Sequence, residues 1–110
     1  MVYAVTASIV FSNASKAETI ATALNSDVGP LQRWGATTIA SLTGALEPNP
    51  RVRVLVRFET EADRDDFYDA AIARLKGPRT PEPGSTIAKH NCTHDESVPV
   101  GCVDFDEVVY

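Results

Sequence analysis

Residues 89–102, KHNCTHDESVPVGC, gather both cysteines and both histidines of this 110-residue chain. Thiols and imidazoles so close together can do three kinds of chemistry. On an extended strand His90, Cys92 and His94 share one face, because successive side chains alternate. Cys102 follows ten positions after Cys92. If a turn centres on Ser97, Cys92 lies opposite Cys102, His90 opposite Asp104 and Ala88 opposite Asp106. In that register a Cys92–Cys102 disulfide is geometrically feasible and would close a small hairpin. A zinc site of His90, Cys92, His94 and Cys102 has an acceptable donor set. Its spacing is not that of paired zinc-ligand motifs, and residues i and i+4 of a strand stand about 13 Å apart. A three-ligand set with Asp95 is the compact version. In the third reading both thiols are reduced and half-buried. The histidines then face water or pair with Asp104 and Asp95. The sequence leaves all three open.

Catalytic patterns are missing elsewhere. No G-x-S-x-G, H-E-x-x-H, phosphate-binding loop or G-x-G-x-x-G occurs. A Cys92–His90 or Cys92–His94 dyad can be drawn, but along one strand it lacks an orienting third group. The expectation is therefore a binding module with no catalytic residue and no resident cofactor, zinc being the one metal the residues suggest.

The elements that must position these side chains are legible. Residues 2–11 alternate, with Tyr3, Val5, Ala7, Ile9 and Phe11 on the bulky face, which predicts a strand. Residues 15–26 read as a helix opened by a Ser15/Glu18 capping box, with Ala17, Ile20, Ala21 and Leu24 on one face. Thr- and Ile-rich residues 35–43 predict a strand, ended by Gly44 and Pro48-Asn49-Pro50. RVRVLVRF, residues 51–58, is the clearest strand. Residues 61–76 predict a second helix capped by Thr60, with acids in its first turns, where the helix dipole favours them. Phe67, Ala70, Ala71 and Leu75 are its expected buried face. Gly77-Pro78 stops it, and residues 85–94 and 101–109 predict two last strands.

This β-α-β-β-α-β order plus one strand resembles the ferredoxin-like architecture. The resemblance spans nearly the whole chain and rests on element order alone. It implies one α+β domain over residues 1–110, with an antiparallel sheet of about five strands in the order 5-4-1-3-2 and both helices on one face. The other face would carry Val2, Ala4, Thr6, Ser8 and Val10 beside Arg51, Arg53, Leu55 and Arg57. Such a face can be solvated, or can pack on a second copy as in ferredoxin-like dimers, which predicts a homo-oligomer. Its arginine row could hold an anion or an acidic partner. Tyr3 and Phe58 fall on the helix-covered side, so the face lacks the aromatics an RNA-recognition module stacks on bases. The order also resembles small dimeric α+β barrel proteins. That likeness implies a small-molecule enzyme or ligand site between helices and sheet, near Asn13 and Trp34.

Charge narrows the partners. The net charge is −5, split unevenly. Residues 1–58 sum to +2 and residues 59–110 to −7. An acidic chain is poorly suited to neutralise phosphates, so no nucleic acid is expected. No apolar run approaches a membrane span, and the alternating N-terminus has no basic leader, so a cytoplasmic location is expected. The composition, rich in Ala, Thr, Val and Arg and poor in Lys, resembles small accessory proteins of actinobacterial phages or mobile elements. That resemblance implies action on a host or partner protein. The acidic second helix, through Asp65, Asp66 and Asp69, is the expected surface.

Overall fold

The structure, a computed structural model, describes residues 2–24, 37–43, 49–92 and 102–110. The chain runs β1 (Val2–Val10), α1 (Ala14–Leu24), β2 (Thr37–Thr43), β3 (Arg51–Phe58), α2 (Glu61–Arg74), a 3-10 turn (Gly77–Arg79), β4 (Thr86–Cys92) and β5 (Cys102–Val109). It is an α+β protein with an antiparallel sheet and two helices. The strands lie side by side as β2-β3-β1-β4-β5, so β1 and β3 are interior and β2 and β5 are edges.

Alternation in β1 and β3 sets which face is buried. Tyr3 pairs with Phe58, Val5 with Val56, Ala7 with Val54 and Ile9 with Val52. Directly paired residues share a face, so these eight form one apolar surface. Both helices lie on it. Tyr68, Phe67, Ala71 and Ile72 of α2 pack on Val5, Val56, Phe58 and Ile87. Ala17 and Ala21 of α1 pack on Val52, with Phe11 and Leu42 beside them. Val54 touches both groups and joins them into one layer. Phe58 and Phe67 meet as tilted rings 5.3 Å apart. Truncating an aromatic in such a layer costs about 3–5 kcal/mol.

Local chemistry moved several expected boundaries. Helix α1 starts at Ala14 rather than Ser15, because Asn13 is the cap: its Oδ1 accepts from the Lys16 N–H at 2.7 Å. Ser15 instead lies within the first turn, where its carbonyl accepts from the Thr19 hydroxyl. Thr60 caps α2 as expected, its Oγ1 accepting from the Asp63 N–H at 3.2 Å. Helix α2 ends at Arg74, short of Lys76, and Gly77 with φ +60° turns the chain into the 3-10 segment.

The face of α2 that turns inward is the larger correction. Its buried residues are Arg64 and Tyr68, with Phe67, Ala71 and Ile72 half-buried. Helical spacing put Phe67 and Ala71 inside correctly but left out the cation. Arg64 is held inside by hydrogen bonds to β4 and Asp65 and by two aromatic rings, as described below.

The β4–β5 pairing departs from the expected register in one place. Cys92 stands opposite Cys102 and His90 opposite Asp104, and Lys89 pairs with Phe105. Ala88, however, is not opposite Asp106. A bulge falls between Ile87 and Lys89, and Ile87 pairs with Val108. Strand β5 therefore inserts Asp106 and Glu107 where β4 supplies only Ala88. Asp106 takes φ 52°, a left-handed conformation that Asp tolerates better than most residues.

Candidate functional site

The bulge brings β5 and α2 together around two cations. Arg64 is 1 % exposed. Its Nη1 donates to the His90 carbonyl and to Asn91 Oδ1, both at 2.8 Å, and its Nε donates to Asp65 Oδ1 at 2.7 Å. Its guanidinium also lies 5.5 Å from the Tyr3 ring centroid and 5.0 Å from that of Phe105. Buried charge is tolerated only when paired and fully hydrogen-bonded, and the planar fork of arginine suits that role. Lys89, half-buried, points to the same side. Its Nζ lies 3.3 Å from Asp65, 3.6 Å from Asp106 and 4.8 Å from the Tyr68 ring centroid. The Tyr68 hydroxyl donates to the Asp106 carbonyl, which fastens α2 to the bulge.

Electrostatics follow from this packing. Burial pushes the Asp65 carboxyl up, but hydrogen bonds and charge from Arg64 and Lys89 outweigh it and hold the group below the usual range. Burial, with help from Asp106, raises the Tyr68 phenol. Both cations are thus spent inside, and the carboxylates around them dominate the surface. Glu61, Asp66 and Asp69 on α2 are exposed, as are Asp104, Asp106 and Glu107 on β5, with Asp65 half-exposed between. Glu61, Asp65 and Asp106 lie against the two cations, Asp66 and Asp69 are exposed on the same helix, and Asp104 lies on the other sheet face beside His90.

On the opposite sheet face His90 links three strands. The Thr6 hydroxyl of β1 bonds its Nε2, and Asp104 Oδ1 of β5 lies 2.6 Å from its Nδ1. The Nδ1 contact is close but lacks the alignment of a good hydrogen bond. Burial dominates and lowers the imidazole below its ordinary value, although Asp104 pulls the other way. Hydroxyl, imidazole and carboxylate in series form the order used by nucleophilic relays. Such a relay also needs donors aimed at a developing oxyanion. Strand β1 is paired on both sides here, so its amides are consumed by the ladder. The series therefore reads as a cross-strand tie.

The predicted site residues separate into groups. Asp65, Asp66 and Asp69 fall on the carboxylate surface. Of the arginine row, Arg51 donates to Ser8 Oγ at 2.7 Å and to the Gly84 carbonyl at 3.2 Å. Arg53 is exposed and Arg57 half-buried opposite Ala4. Cys92 and Cys102 are brought into direct register. His94, the Ser97 turn and Trp34 lie outside the described residues. His90, with its two nitrogens against Thr6 and Asp104, is already engaged, and among the described residues no group of three His, Cys, Asp or Glu is placed to hold a metal ion.

Arg64, Lys89 and Asp106 were the residues sequence reasoning missed. The signal for Lys89 was present: it shares the strand face of Ile87, so a charge had to point toward the helices. No helix of the described residues is long and apolar enough to cross a membrane. No family model, curated protein or solved structure matches the chain.

Proposed function

We propose that this protein is a non-enzymatic binding module that engages a basic partner protein through the carboxylate surface shared by α2 and β5. One observation carries the reading: Arg64 and Lys89 are turned inward, to 1 % and 13 % exposure, while Glu61, Asp66, Asp69 and Asp106 remain outside, and the exposed cation of α2, Arg74, stands at the far end of the helix. A surface arranged only for solubility would mix its signs. A single-sign surface steers an oppositely charged partner and fixes its orientation. The bulge at Asp106 and the charges along β5 work against simple strand addition at that edge, so the partner presents a basic surface rather than an extra strand.

The element order supports a ferredoxin-like arrangement as the scaffold. On the sheet face away from the helices, Ala4 and Ala88 are already buried within the single chain. Those two positions offer nothing to a second copy, and the acidic edge is the docking surface favoured here. Titration of a labelled Lys/Arg-rich peptide, read by fluorescence anisotropy, tests the reading. Binding that weakens steeply as salt rises is expected. Salt-independent binding, or none at low salt, would remove it.

A further inference from the structure

A cleft of about 290 Å³ lies where the end of β1 meets the first turns of α1 and the segment that follows α2. Its apolar wall includes Phe11, Ile20 and Leu75. Ile20 is 37 % exposed and is one of two large hydrophobic residues left exposed among the described residues. Its rim carries Lys16 and Arg79 against one carboxylate, Glu82. Among the described residues the ammonium of Lys16 and the guanidinium of Arg79 make no ion pair. Carboxylates outnumber cations fifteen to ten in the chain, so two cations facing one carboxylate reverse that balance locally. Pro78 and Pro81 stiffen the outer wall, so little order is lost when a ligand enters.

We propose that this cleft binds a small amphipathic carboxylate, with its hydrocarbon on Phe11, Ile20 and Leu75 and its carboxylate between Lys16 and Arg79. The volume sits at the low end for ligand pockets, so the ligand is smaller than a drug-sized molecule. The apolar wall supplies the area term, and the two cations supply charge-assisted hydrogen bonds that a neutral head group cannot match. The site lies apart from the carboxylate surface and stands independently of the partner reading.

Octanoate is the probe, and octanamide, equal in chain length but neutral, is its control. Both are titrated into isotopically labelled protein and followed by amide chemical shifts. Octanoate is expected to move the amides of residues 9–20 and 75–82 and to bind about tenfold tighter than octanamide. The doubly neutralised variant Lys16→Gln/Arg79→Gln should keep the native circular dichroism spectrum, since both side chains are exposed, and lose that preference. The variant Asp66→Lys/Asp69→Lys/Asp106→Lys should keep it. Equal response to the two ligands, shifts centred elsewhere, no shifts, or a preference that survives the double variant would each overturn the proposal.

Discussion

Arg64 is the buried cation of α2. It ties the helix to β4 through the His90 carbonyl and Asn91, and it fills the space between Tyr3 and Phe105. Removing it leaves a buried carbonyl and amide unpaired and releases Asp65. Arg64→Ala should lower stability by about 2–4 kcal/mol in urea titration. Arg64→Lys should recover only part of that loss, because an ammonium cannot span the same acceptors. His90 makes the second residue-level prediction. Its folded-state value is lowered, so the unfolded chain binds the proton more readily. Stability is therefore unaffected well above pH 6.5 and declines as pH falls through that value toward the folded one. The stability gap between the wild type and His90→Gln should shrink from pH 7.5 to pH 5.5 in parallel denaturation curves. A gap that widens would mean that Asp104, not burial, governs the imidazole.

At the level of elements, strands were legible wherever one face was apolar and the next polar. RVRVLVRF produced β3 with its bounds unchanged, and β1 ended one residue early. Local hydrogen bonding was less legible. Asn13 outcompeted Ser15 because either side chain could cap a helix beginning in that stretch, and the sequence contains no term for which amide is nearer. The inward face of α2 was misread for a similar reason. A cation enters a core only when a carbonyl from one element and two aromatic rings from others meet it, and those partners lie far away in sequence. The bulge escaped for want of any glycine marking it; Asp106 accepts its φ of 52° without one. The hairpin pairing of Cys92 with Cys102 and His90 with Asp104 was legible, since one pair fixes the antiparallel register of every other pair short of the bulge. That register places two cysteines where a disulfide is feasible. Under oxidising conditions the intact mass should fall by two hydrogens, and alkylation of the denatured protein should then find no thiol. Two alkylatable thiols after oxidation would show that the register does not bring the sulfurs into bonding geometry.

For the molecule as a whole, charge follows the fold as well as the sequence. The acidic second half of the chain contributes both α2 and β5, which the Arg64, Lys89 and Tyr68 contacts hold side by side. Asp65 of α2 and Asp106 of β5 thereby meet across Lys89, a junction that neither element would form alone. The β5 edge gains protection from unwanted strand pairing as a by-product. The most direct test compares two variants of equal net charge in binding the labelled basic peptide. One is Asp66→Lys/Asp69→Lys/Asp106→Lys, which spares Asp65 and so leaves Arg64 paired. The other is Glu18→Lys/Glu59→Lys/Glu82→Lys, which reverses exposed acids elsewhere. The first should abolish binding at moderate salt and the second should leave it within about twofold of the wild type. Equal loss in both would show that the peptide responds to overall charge alone and would contradict a partner surface on α2 and β5.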